Sequence, residues 1–327
     1  MNRRRRAMVA GLLLVFVGGL VATAFAALPR RPVPTEAYFD QLERGRVNAD
    51  VEATIALIDP LFEQAPEDWA CMGLFPEEGY KYSLAFTGYG LASVAVIDPS
   101  RRPEVARRLD RLIERMRQPV VWKDWVDQGW GTDPLVENVM YKGHLNLLYA
   151  LHTLLTAQDL APGQRPKYEE PYRAMSAVIA KDMKSGSYCG ACCEIINYFF
   201  QCNQISMFSL ALHDVFYGTS YRAELERPWL DWARKNMTDP ETGLFYFAYH
   251  PRTDNFDKRL SGYTNAWIVT FLHFFDPEWA DELYDSFKAR FVQERFGVYA
   301  YAEEWAGRGM EGLATMFTLF AAKEMGD

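Results

Sequence analysis

Two kinds of helical segment alternate along the chain, and that alternation restricts the fold more than any single motif. Residues 50–64, 103–117, 166–184, 221–236 and 277–294 are amphipathic and charged. Between them, residues 82–97, 144–156, 198–217, 263–275 and 312–325 are apolar almost all round, with small residues mixed in. A helix with one wet face lies at a surface, and a helix apolar on every side is buried. Strict alternation predicts an all-α toroid of helical hairpins, each giving one helix to an outer ring and one to an inner ring. Asp98-Pro99, Asp133-Pro134, Asp239-Pro240 and Asp276-Pro277 fall between segments, where an Asp cap or turn starter followed by Pro is expected. Only short aromatic runs such as residues 244–249 have the character of local strand pairing.

The connections differ by side. Inner-to-outer links are short, whereas the outer-to-inner links, residues 65–81, 118–143, 185–197, 237–262 and 295–311, are long and aromatic. Long links without a disordered composition usually carry function. In a toroid they rise on one rim, so the residues that open the inner helices converge there: Tyr82, His144, Cys193 with Cys202, Tyr263, and the Glu303–Glu304 region.

The richest stretch is residues 188–212, which hold four of the five cysteines. Gly190 and its small neighbours suit an irregular loop, and from Tyr198 onward the apolar density predicts a buried helix with Asn197 as its N-cap. Nine residues separate Cys193 from Cys202. On one continuous helix they would face opposite ways, so they share a site only if the loop folds Cys193 back over the first turns. The pair then reads as an acid and base, a nucleophile with a helper, a disulfide, or core packing. A thiolate is favoured at the first turn of a helix. Cys189-x-x-Cys192 followed at once by Cys193 is crowded for zinc, and no second ligand pair follows at suitable spacing.

His144 faces apolar neighbours, which suits a hydrogen-bonded core histidine, while its place on the rim suits catalysis. Tyr82 and Tyr263 occupy matching places, where a phenol donates to a substrate hydroxyl or caps the rim. His152 and His213 lie farther down their helices and read as core. The rim carboxylates Asp124, Asp127, Asp133, Glu137, Glu303 and Glu304 would suit sugar chemistry, with Asp133 also placed as a cap. No phosphate-loop, dinucleotide, hydrolase-elbow or zincin motif is present, so cofactor-free chemistry is the expectation.

The net charge of -8 is interspersed, which argues against a nucleic-acid partner. The one basic run, Arg3 to Arg6, precedes an apolar stretch, residues 7–27, ending near Ala24-Phe25-Ala26. Residues 1–27 therefore read as a signal peptide or a membrane anchor, residues 28–34 as a Pro-rich linker, and residues 35–327 as one (α/α)-barrel domain. Positive residues before the span place that domain outside the cytoplasmic membrane, soluble or held there by the N-terminal segment.

Several blocks carry a resemblance. Lys81 to Phe86, Tyr89 to Ala95, Gly131 to Pro134, Met140 to Leu147, Cys193-Glu194, Asn197 to Phe199, Gln201 to Asn203, Tyr263-Thr264 and Ala266-Trp267 together resemble the linalool dehydratase/isomerase family, in the same order and at similar spacing. The resemblance implies an (α/α)6 barrel and cofactor-free interconversion of linalool with geraniol, with dehydration of linalool to myrcene. It implies catalytic roles for Cys193, Cys202, His144, Tyr82 and Tyr263, and a pocket lined by Glu194, Met140, Phe199 and Gln201. In that reading Cys193, helped by Tyr82 and His144, protonates the hydroxyl, Cys202 handles the second proton, and a transient thioether is the alternative route. The partner is then a small apolar alcohol or alkene.

Two features depart from the family. Ala56 and Phe62 stand where it carries an acidic residue and a tyrosine, and Asp59 is the nearest substitute, about one turn away. The five pairs are one hairpin short of six, which leaves a ring that is open, covered by a second copy in a homo-oligomer, or cut short. The competing functions are a carbohydrate-active toroid using rim carboxylates and a degenerate membrane-attached binding protein.

Overall fold

Short polar side chains set where the elements begin. Asn138 accepts from the Tyr141 N–H (2.9 Å) and starts one buried helix, and Asp276 accepts from the Trp279 N–H (3.0 Å) and starts an outer one. Asp98, Asp133 and Asp239 accept from Ser100 (3.1 Å), Leu135 (2.9 Å) and Thr242 (2.9 Å) backbone N–H groups, so all four Asp-Pro dipeptides stand at caps or turns. Those at Asn138, Asp276, Asp98 and Asp133 satisfy helix-end donors that have no partner within their own helix, and the one at Asp239 closes a turn.

The computed structural model describes residues 47–63, 79–131, 133–193, 197–295, 298–301 and 310–327. The arginine run, the apolar stretch and the linker lie outside them. Among the described residues no helix is long and apolar enough to cross a membrane. Residues 50–327 form one compact unit.

That unit is mostly helical. Its longer helices are α1 (Ala49–Ile58), α2 (Gly79–Ile97), α3 (Arg102–Met116), α4 (Val139–Thr156), α5 (Glu169–Ser185), α6 (Phe200–Tyr217), α7 (Tyr221–Asn236), α8 (Gly262–Phe275), α9 (Pro277–Phe291) and α10 (Met310–Met325). The buried members pack in chain order, α2 on α4, α4 on α6, α6 on α8 and α8 on α10, and Phe86 of α2 meets Phe317 of α10 with ring centres 5.9 Å apart. Helices α2, α4, α6 and α8 are thus the buried set that the alternation predicts, whereas α10 buries only Ala314, Phe317 and Ala321 of its described side chains and leaves Leu319 and Phe320 exposed, because no further described helix covers its other face. Ion pairs of Glu52 with Arg101 and of Asp59 with Arg108 join α1 and its following turn to the start of α3.

Burial is concentrated in the opening turns of the inner helices. Residues 139–150 of α4, 200–207 of α6 and 262–269 of α8 are all buried, whereas Val96, Val215 and Phe274 near the far ends are exposed. Two devices hold α4 against its neighbours. The Asn146 amide donates to Ser176 Oγ on α5 (3.0 Å) and Ser209 Oγ on α6 (2.9 Å), and Gly143 allows α6 to come close.

Some boundaries differ from the pattern. The helix predicted over residues 277–294 stops at Phe291, and Val292–Arg295 turns into a strand (β3) paired antiparallel with Val298–Tyr301 (β4). Earlier in the chain, Tyr246–His250 (β1) pairs antiparallel with Asn255–Leu260 (β2), extending the local pairing expected of the aromatic run. Helices α2 and α4 also start sooner than their apolar density suggests. His144 is therefore the sixth residue of α4 and Tyr82 the fourth of α2, each about a turn inside.

Candidate active site

The cysteine loop is built on an asparagine. Asn203, one turn into α6, accepts from the Ala191 N–H (2.9 Å) and donates to the carbonyls of Ala191 (3.0 Å) and Phe199 (2.9 Å). It stands in for a β-partner, so the loop lies back over the helix start. Gly190 makes the approach possible, because a Cβ there would sit 2.3 Å from the Tyr198 ring. Cys189 takes a left-handed conformation (φ 49°) to complete the turn. The loop is also tied to α4, where the Val139 N–H donates to the Cys192 carbonyl (3.0 Å).

The fold-back brings Cys193 Sγ to 3.2 Å from Cys202 Sγ, both residues being buried. Both are free thiols, as are the half-buried Cys189 and Cys192. One of the two touching sulfurs carries a proton toward the other. Cys202 is the third residue of α6, in the turn whose N–H groups favour negative charge. Asn197 is not the cap of this helix. It lies in a bridge between Tyr198 and Tyr249, with its side chain against His250 Nδ1 (2.6 Å), and α6 begins after Phe199 with no side-chain cap. The strand contact competes for this segment and pushes the helix start to Phe200.

A second cluster joins the four other inner helices. His144 sits edge-on to Tyr82 (5.5 Å between ring centres) and tilted against Trp267 (6.3 Å), and Phe86 touches both His144 (5.7 Å) and Trp267 (5.6 Å). Trp267 lies one turn past Tyr263 on α8, and Phe317 of α10 stacks on it at 4.5 Å. His144 Nδ1 is 2.5 Å from the Tyr89 hydroxyl, while its Nε2 is buried and has no partner. Burial, with the Lys81 charge adding to it, pushes the His144 pKa down to about 3, so the ring is neutral at neutral pH.

The two clusters share the openings of α4 and α6. Gly143, beside His144, is the closest point to Ser206, which lies one turn past Cys202. Met140 and Gln201 are buried in the same opening turns, and Phe199 packs on Phe247, which in turn reaches Tyr263 (6.4 Å). Ser83 Oγ, Gln201 Oε1, Thr264 Oγ1 and Trp267 Nε1 are buried without hydrogen-bond partners, as is His144 Nε2. Buried polar atoms normally find partners; others without one, such as Thr153 Oγ1 and His213 Nε2, lie farther down the helices, while these five sit where the inner helices open and a polar ligand group could satisfy them. Glu194 lies outside the described residues, with Glu303 and Glu304.

Pattern reading missed Tyr89, Trp267 and Asn203 as parts of this arrangement. Tyr89 had a signal, since seven residues after Tyr82 places it on the same face of α2. Of the remaining expectations, that for Asp59 changes, while Asp133 as a cap and His152 and His213 as core residues stand. Asp59 is held by Arg108 through two bonds of 2.8 Å on the outer layer, so it does not replace the acid missing at Ala56, which is exposed. Of the rim carboxylates, Asp133 caps the short helix Pro134–Glu137 and Asp127 pairs with Lys123. His152 contacts Asp110 and His213 contacts Thr219, as core residues do. Among the described residues no group of three or more His, Cys, Asp or Glu is placed to hold a metal ion.

Comparison with known proteins sets this geometry in a family. A sugar epimerase from a ruminal bacterium matches over 74% of this chain and 71% of its own, at 11% identity and a TM-score of 0.49. Residues 81–327 match the linalool dehydratase/isomerase family. The matched span runs from the first turn of α2 to the end of the chain and takes in both cysteines, His144, Tyr82 and Tyr263, while α1 with Ala56 precedes it. The chain belongs to the linalool dehydratase/isomerase family.

Proposed function

We propose that this protein is a cofactor-free dehydratase and isomerase of small allylic alcohols, of the linalool, geraniol and myrcene kind, working in an (α/α) toroid. The observation that carries the reading is the 3.2 Å contact between two buried sulfurs within the family match. The unbroken order of inner helices, with Phe86 against Phe317, supports the ring.

An allylic hydroxyl leaves only when protonated, and the cation it leaves behind needs a base and walls that exclude water. In the proposed cycle the Cys193 thiol gives its proton to the hydroxyl, the C–O bond breaks, and water departs with the bonding pair. The aromatic faces of Tyr82, Phe86 and Trp267 stabilise the allylic cation. The Cys202 thiol passes its proton across the contact to the Cys193 thiolate just formed and then takes a proton from the carbon beside the cation, and that C–H pair becomes the new double bond of the alkene. Isomerisation is the same departure followed by return of water to the other end of the allyl system, with its spare proton going to the Cys193 thiolate. Both sulfurs end either route as thiols, so the pair is ready for the next turnover. The N-terminal arginine run and apolar stretch support an exported enzyme meeting a small apolar alcohol or alkene.

Gas chromatography of the purified protein incubated with C5 to C15 allylic alcohols under reducing conditions tests the reading. Alkene or transposed alcohol, abolished by thiol alkylation, is the expected result. No product from any member of the panel overturns it.

A further inference from the structure

The Tyr89–His144 contact has two arrangements of its hydrogens, and they are not equal. If the phenol donates to Nδ1, the imidazole carries its proton on Nε2, and one group, that Nε2–H, is left over. If Nδ1–H donates to the phenol oxygen, two groups are left over: the phenol hydrogen and the Nε2 lone pair. Each buried polar group without a partner costs about 1–3 kcal/mol, so the first arrangement prevails. Tyr89 cannot escape by ionising, because burial holds its phenol well above the usual range.

We infer that Tyr89 is a positioning residue that holds His144 as the Nε2–H tautomer and aims that N–H at the oxygen of the substrate. The site of the reading above supplies the only further requirement, that the alcohol sit among Tyr82, His144 and Trp267. The first turns of α2, α4 and α8 meet there, with the Trp267 Nε1–H and Ser83 Oγ also lacking partners. His144 then acts as a neutral donor. It stabilises the oxygen as the C–O bond lengthens, and the proton itself comes from the thiol. The ring stays pinned by Tyr89 from α2 while its own helix holds its Cα, so the donated hydrogen has one direction.

The test has two readouts. Long-range proton–nitrogen NMR on protein labelled with nitrogen-15 histidine, with His144 identified by its loss in His144→Gln, reads the tautomer without any substrate. The expected pattern is protonated Nε2 and bare Nδ1 in the native chain, changing to the other tautomer or a mixture in Tyr89→Phe. In turnover with linalool, Tyr89→Phe should lower kcat roughly 10- to 100-fold, the usual effect of removing the partner that orients a functional histidine, with a smaller change in KM. A protonated Nδ1 in the native chain, an unchanged nitrogen pattern in Tyr89→Phe, or an unchanged kcat each overturns the inference. The outcomes separate from the broader reading, because absence of product from the native chain sinks the dehydratase assignment, and turnover retained in Cys202→Ala sinks the role given to that sulfur. An inactive Cys202→Ala beside a fully active Tyr89→Phe sinks only the positioning role.

Discussion

Asn203 grips the backbone of Ala191 from both sides, accepting from its N–H at 2.9 Å and donating to its carbonyl at 3.0 Å, so a side chain on α6 fixes the loop that presents Cys193. Asn203→Ala leaves both groups of a buried residue unpaired, at about 1–3 kcal/mol each. Turnover should fall by more than stability does, because the sulfur pair depends on the loop lying down. Alkylation of Cys193 by iodoacetamide, followed by mass spectrometry, should speed up in the variant, since that residue is only 2% exposed in the native fold. Equal alkylation rates would mean that something else holds the loop.

Gly143 and Ser206 set the spacing of α4 and α6. A Cβ at Gly143 would fall 2.4 Å from Ser206 Oγ and 3.3 Å from the Ser206 backbone nitrogen. Gly143→Ala should therefore destabilise by about 1–3 kcal/mol, the usual cost of overpacking, although Ala is the better helix former. Adding Ser206→Ala removes the nearer clash and should recover part of the loss but not all of it, since the backbone contact stays. Urea denaturation of the two singles and the double measures the coupling; strict additivity would contradict the apposition.

The helix order was legible because a helix buried all round and one with a single wet face have different residue patterns. The β3–β4 hairpin was not. Charged residues continue past Phe291 through Arg295, and Gly297 between two short runs was the weaker signal. The cysteine pair was legible only as a condition, that the loop must fold back. What meets the condition is Asn203 bonding to a backbone twelve residues away, an anchor with no periodic signature. The depth of His144 was misjudged for a related reason: Asn138 starts α4 ahead of the apolar block. Its partner Tyr89 was visible on the face of Tyr82 but undistinguished among 18 tyrosines.

Cys193→Ala and Cys202→Ala should each remove turnover while the protein keeps its helical circular dichroism. Either change deletes one buried heavy atom, which costs about 1 kcal/mol by comparison with other single-atom core deletions. A serine at either place keeps the shape, but a hydroxyl is a far weaker acid than a thiol, so it should restore stability without restoring rate. Product formation from linalool, followed beside thermal unfolding, separates the two effects. A serine variant with native turnover would show that sulfur is not what the step requires.

Acid should weaken the fold before its carboxylates protonate. Burial lowers the pKa of His144 to about 3 and of His213 to about 4, and it lowers that of His152 as well despite nearby Asp110. In the unfolded chain each takes up a proton near pH 6.5. Between that pH and the folded values the unfolded state binds more protons, so stability rises with pH there and falls on acidification. The contribution is fully present above about pH 7. Carboxylates such as Glu104 and Asp257, whose pKa values are lowered by arginine partners, add their own loss only below about pH 4.5. The window from about pH 5 to 6.5 therefore belongs to the histidines, at up to about 1.4 kcal/mol per pH unit for each one. Urea unfolding across this range should show His213→Asn with a slope shallower by one proton than the native chain. His213 contacts Thr219 outside the sulfur and aromatic clusters, so turnover at pH 7 should stay near native. An unchanged slope would place His213 in water, open to protonation in the folded state.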